Sequence, residues 1–155
     1  MIKILFFIEK FAGGGAEKVL RDLVNHMDQT KFNITVQSVW PYEEGKSLEK
    51  RIQYKTVYPH KNRFYELLYR LEAAAKLTYS LHIRDEYDLE CAFLEMGTTK
   101  ILAASTNKRA RKIAWVHCDL KKAIQDKETF AQKCSEWYKK IRFGCLRISN
   151  CQKQL

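Results

Sequence analysis

An unbroken apolar run, Ile4-Leu5-Phe6-Phe7-Ile8, is followed within a few residues by Gly13-Gly14-Gly15 and then by an amphipathic helical pattern. A strand that is apolar at every position cannot leave one face in water. It belongs to a parallel sheet covered by helices on both sides. A glycine-rich connection from such a strand to a helix lets backbone N–H groups approach an anion at the helix N-terminus. A tight strand-to-helix turn alone also favours glycine, although three in succession exceed what one turn requires. The combination predicts a phosphate-handling turn at the start of a doubly wound α/β domain.

The remainder of the chain repeats the alternation. A first helix is predicted over residues 16–27, with Val19, Leu20, Leu23, Val24 and Met27 at the helical period. A second strand, 32–40, alternates at Phe32, Ile34 and Val36 and stops at Pro41. Residues 42–50 are polar, carry Gly45 and read as a loop. A third strand, 52–58, ends at Pro59 and suits a sheet edge.

A long helix is expected over 62–83, with Phe64, Leu67, Leu68, Leu71, Ala75, Thr78 and Leu81 as its buried stripe. Arg63, Tyr65, Tyr69, Arg70, Lys76 and Tyr79 fall on its other faces. Such a helix is either an ordinary surface element or one that lies against a membrane interface. Strands over 89–94, 113–116 and 145–149, a short helix ending at Ala104 and another over 128–141 complete the reading. Alternating strands and helices imply βαβ units, whose strand C-termini share one ligand-binding edge. Gly13 to Gly15, Glu95 to Thr99 and His117 to Asp119 all fall on that edge.

Apolar residues form 46% of the 155, enough for one core, and no run approaches a membrane span. The first apolar run ends at Glu9 and Lys10 with no cleavage pattern after it, so a cytoplasmic protein is expected. Cys91, Cys118, Cys134, Cys145 and Cys151 show neither C-x-x-C nor zinc-ligand spacing and read as reduced thiols. The net charge of +10 favours anionic partners without choosing among nucleic acid, acidic lipid and phosphorylated small molecules. The runs 108–112 and 121–122 read as solvated surface.

Stricter templates fail at the glycine turn. A dinucleotide fingerprint beginning at Gly13 would need glycine where Lys18 stands, and a P-loop ending at Gly45-Lys46-Ser47 would need glycine at Trp40. Glu17 suits the positive end of the first helix. No D-x-D pair signals a metal–diphosphate site, and no G-x-S-x-G elbow signals a hydrolase. His117 has two readings. It is a partly buried histidine bonded to a neighbour, or an imidazole on the ligand edge that hydrogen-bonds sugar hydroxyls.

Two stretches together resemble a known family. Ile4 to Ile8 with Gly13-Gly14-Gly15-Ala16-Glu17-Lys18-Val19-Leu20 is similar to the opening of family-4-type retaining glycosyltransferases, a strand followed by G-G-A-E-[RK]-V-L. Lys112-Ile113-Ala114-Trp115-Val116-His117-Cys118-Asp119-Leu120 resembles the K-I-A-W-[IV]-H-x-D-L segment of bacterial members that build surface polysaccharides. Phe93-Leu94-Glu95 and Thr98-Thr99-Lys100-Ile101 fit the same lineage.

The resemblance implies that residues 1–155 form the N-terminal, acceptor-side Rossmann-like lobe of a GT-B enzyme, incomplete at its C-terminal end. It implies a nucleotide-sugar donor, a lipid-linked or saccharide acceptor, no cofactor and no metal. Gly13, Gly14 and Gly15 would face the donor diphosphate, and His117 would act catalytically beside the transferred sugar. Glu95, Gly97, Thr98 and Asp119 would line the acceptor. The family's second lobe, with its E-x7-E carboxylates, does not occur in these residues, so autonomous catalysis is not expected. The competing expectation is a non-catalytic basic α/β module on an anionic membrane, at the inner face, or on a partner domain. A nucleic-acid binder has only charge in its favour and no reading motif.

Overall fold

A computed structural model describes residues 1–95, 97–117, 136–137 and 139–145. Its strands are β1 (Ile2–Ile8), β2 (Phe32–Ser38), β3 (Gln53–Thr56), β4 (Leu89–Phe93), β5 (Arg111–Val116) and β6 (Arg142–Cys145). Its helices are α1 (Gly15–His26), α2 (Arg63–Ala74), α3 (Thr78–His82) and α4 (Gly97–Ala103). The six strands form one sheet in the order β3-β2-β1-β4-β5-β6, and every neighbouring pair is parallel. This is the Rossmann-like doubly wound arrangement, with the order reversing between β1 and β4.

The residues of β1 show why its whole run is apolar. Ile4, Phe6 and Ile8 pack with Leu20 and Val24 of α1 on one face of the sheet. Leu5 and Phe7 pack on the other face, among Tyr79 of α3 and Ile101 and Leu102 of α4. Each position therefore buries its side chain, whichever way it points. As expected from Pro59, β3 lies at the sheet edge.

The helix expected over 62–83 differs from its prediction in two ways. It is broken into α2 and α3 at Lys76, whose φ is 61°. The amide of Leu77 donates to the Glu72 carbonyl at 2.8 Å and that of Lys76 to the Ala73 carbonyl at 3.4 Å. These are the paired bonds of a Schellman motif, with lysine at the position glycine usually holds. The helix is also rotated about its axis. Phe64, Leu67, Leu71 and Leu81 face solvent, whereas Glu72 and Tyr79 are buried and Tyr65, Leu68 and Tyr69 pack against the core.

Polar partners under the helix explain that rotation. The Tyr58 hydroxyl donates to Glu72 Oε2 at 2.7 Å, and His82 Nε2 meets the same oxygen at 2.8 Å. Tyr58 stacks on Trp40 at 5.1 Å between centroids and meets the rings of Tyr65 and Tyr69. A tyrosine turned inward buries a large ring while its hydroxyl keeps a partner.

Smaller differences concern ends. β6 begins three residues before the predicted 145, and β5 extends back to Arg111, which pairs with Leu89. Cations at an exposed strand start do not interrupt backbone pairing. Residues 43–47 of the predicted loop form a short 3-10 turn. Of the helix expected over 128–141, residues 128–135 and 138 lie outside the described residues, and 136, 137 and 139 are helical.

Candidate functional site

The C-terminal ends of β1, β4 and β5 lie side by side, because β1 pairs with β4 and β4 with β5. The first end carries the glycine turn. Gly13 has φ 81°, a left-handed conformation that a side chain would strain, and Gly14 is the N-cap of α1. Gly15 is the first residue of the helix. All three glycines are exposed.

A carboxylate already stands at that turn. Glu17 is acidic in the first turn of α1, and its Oε2 occupies the space that a Cβ on Gly14 would need. The positive end of the helix dipole favours that carboxylate as it would a phosphate. A diphosphate seated at the turn therefore competes with Glu17.

At the second end, the chain leaves β4 through Leu94, whose φ is 82°. A bulky residue in that region is a true outlier, and such strain concentrates at functional sites. Two bonds hold it. Its amide donates to the Trp115 carbonyl at 3.1 Å, and the buried Thr98 hydroxyl donates to the Leu94 carbonyl. Thr98 is thus engaged in fixing the turn, and its hydroxyl is directed at backbone. Gly97 opens α4 at the point where β1 and β4 meet. A Cβ there would lie 2.6 Å from Glu9 Oε2 and 3.9 Å from the Tyr69 hydroxyl. Burial, with the Glu9 carboxylate nearby, pushes the Tyr69 phenol well above its ordinary value, so it remains a hydrogen-bond donor.

The third end carries His117. Phe93 of β4 and Trp115 of β5 are paired in register, and Glu95 and His117 each follow two residues beyond that pair. The imidazole lies 4.8 Å from the Phe93 ring and 6.3 Å from the Trp115 ring, nearly parallel to the latter. His117 Nε2 and Glu95 Oε2 are both shielded from solvent and have no hydrogen-bond partner among the described residues. The desolvation of such groups is costly unless something completes their bonding.

The structure thus places Gly13, Gly14, Gly15, Glu95, Gly97, Thr98 and His117 on one edge, the first six at the β1 and β4 ends where strand order reverses and His117 one strand further, at the end of β5. Asp119 lies outside the described residues. Sequence reading missed Glu9, Tyr69 and Leu94. A charge that abruptly ends a fully apolar strand was a signal for Glu9. Tyr69 arrives from a distant helix and gave none. Among the described residues, no three His, Cys, Asp or Glu side chains are grouped as a metal ion would require. No protein-family model matches the chain, and no curated protein matches it.

Proposed function

We propose that this chain is the acceptor-binding lobe of a retaining glycosyltransferase. The whole enzyme would move a hexose from a nucleotide-sugar to a lipid-linked or saccharide acceptor in cell-surface polysaccharide synthesis. The observation that carries the reading is the pair of unsatisfied polar atoms, His117 Nε2 and Glu95 Oε2, at adjoining strand ends on the edge that also carries the glycine turn. One can donate and the other accept, which is what ordering a polyhydroxyl ligand requires.

In that reading the amides of Gly14 and Gly15 stabilise charge on the departing diphosphate, after Glu17 has swung clear of the turn. The anomeric bond to the diphosphate oxygen breaks, and an acceptor hydroxyl oxygen forms the new bond while its proton leaves with the diphosphate. His117 and Glu95 hold the sugars in line, so their contribution is orientation. The second lobe, supplying the donor's nucleotide site, is a required partner.

Trp115 next to His117 offers a direct readout. Titration with saccharides and nucleotide-sugars should change its fluorescence, and His117→Ala should weaken that binding about tenfold, the worth of one good hydrogen bond. With a donor lobe joined to it, the same chain should release nucleoside diphosphate. Silence across the saccharide and nucleotide-sugar panels, with no transfer by the joined enzyme, would sink the reading. A second reading, a non-catalytic basic module on an anionic membrane or partner domain, is favoured by the outward apolar face of α2. It expects His117→Ala to change nothing.

A further inference from the structure

The outward face of α2 is apolar, continuous and unpaired with any described element. Phe64, Leu67 and Leu71 are 68%, 58% and 59% exposed and stand at i, i+3 and i+7, one line along the helix. The Schellman turn at Lys76 follows, and exposed Leu77 comes directly after it; in this motif the residue at that place commonly meets an apolar residue of the last helical turn, the position Leu71 holds here. From Leu77 the line passes to Leu81, whose amide donates to the Leu77 carbonyl at 3.1 Å, and both leucines are exposed. Five large exposed apolar side chains thus follow one another along α2, the turn and α3 as a strip. A strip of this kind is an interaction surface.

Charge selects the occupant. Arg63 and Arg70, seven residues apart, run along the border of the strip that faces away from the core, and Lys76 stands at its bend. All three are exposed and make no salt bridge among the described residues. The acids of α2 do not oppose them. Glu66 pairs with Lys61 at 3.6 Å, and Glu72 is buried beneath the helix. Apolar side chains bordered by unpaired cations match the boundary between acyl chains and anionic headgroups. A second copy of this chain would instead bring like cations together along the strip.

We propose that α2 and α3 dock this protein on an anionic lipid surface, lying in the plane of the leaflet. Phe64, Leu67, Leu71, Leu77 and Leu81 enter the acyl boundary, and Arg63, Arg70 and Lys76 remain at the headgroups. No helix among the described residues is long and apolar enough to cross a membrane. Docking does not depend on sugar binding at the strand edge, and its failure leaves that reading untouched.

The test is sedimentation of the chain with phosphatidylcholine vesicles, with and without phosphatidylglycerol. Pelleting is expected only with the anionic lipid and should fall with added salt. The Leu67→Ser/Leu71→Ser variant should partition at least about tenfold less, from the apolar area withdrawn. Arg63→Gln/Arg70→Gln should weaken binding while keeping the strip, with circular dichroism checking the fold of each variant. Three outcomes overturn the proposal. One is no pelleting with either vesicle. Another is unchanged pelleting of both variants, which would point to other cations. The third is a wild-type dimer that the serine variant dissociates, with no vesicle binding.

Discussion

Helices α1 and α2 are each twelve residues long, and both show apolar residues at helical spacing. They use that spacing in opposite ways. In α1, Leu20 and Val24 are completely buried against Ile4, Phe6 and Ile8, and the polar face meets water. In α2, the leucine line faces outward, while tyrosines and a glutamate turn to the sheet. Periodicity therefore fixes that a helix has an apolar face. What covers the face depends on the competing groups on its other sides.

The largest expected effect tests this contrast directly. Leu20→Ala removes a fully buried side chain and should cost about 2–5 kcal/mol in urea unfolding. Leu67→Ala, with the same chemistry on α2, should stay within about 0.5 kcal/mol. Equal costs at the two sites would mean that α2 is turned the other way.

The sequence carried the α1 side well, and the reason is local. Ile4 to Ile8, the glycine turn and the Val19-Leu20 pattern are neighbours in the chain, so each narrows the reading of the next. The site was half legible for the same reason. Gly13 to Gly15, Glu95 and His117 follow strand ends that apolar runs announce. Glu9 and Tyr69 meet Gly97 only after β1, α2 and β4 are assembled. The orientation of α2 was hidden because Phe64, Leu67 and Leu71 have the spacing of a buried stripe. The deciding groups, Tyr58, Glu72 and His82, come from three separate segments. The break at Lys76 was hidden as well, since Ala73-Ala74-Ala75-Lys76 are good helix formers and no glycine marks the stop.

A second expectation follows from what lies under each helix. On the α2 and α3 side, burial pushes the phenols of Tyr58, Tyr69 and Tyr79 well above their ordinary value and that of Tyr87 to about 12. The carboxylates of Glu72, Glu9, Glu90 and Asp85 act in the same direction on these four rings respectively. On the α1 side, burial raises the Cys91 thiol to about 12. Each group stays protonated in the folded chain after its unfolded counterpart has ionised. The stability it confers is complete below the unfolded value, 9.0 for the thiol and 10.0 for a phenol, and is lost as pH rises toward the folded one. The urea midpoint should therefore hold to about pH 9 and fall steadily toward pH 12. Tyr69→Phe should flatten the fall on the α2 side, whereas Leu20→Ala should shift the whole curve without changing its slope. A midpoint independent of pH up to 12 would contradict the inward placement of the tyrosines.

The smallest effect is the sharpest in sign. Lys76 holds φ 61°, a conformation that costs an L-residue roughly 1–2 kcal/mol. Glycine relieves that strain and gives back about 0.4–1 kcal/mol through greater freedom of the unfolded chain. Lys76→Gly should thus be neutral or stabilising, by about 1.5 kcal/mol at most. In an unbroken helix over 62–83, the same substitution would cost about 1 kcal/mol, because glycine is the poorest interior former after proline. Urea unfolding of this one variant distinguishes the two arrangements by direction alone. A stabilised protein places the Schellman turn at Lys76 and carries Leu77 and Leu81 onto the outer strip. A destabilised one removes the bend, and with it the continuity of that strip.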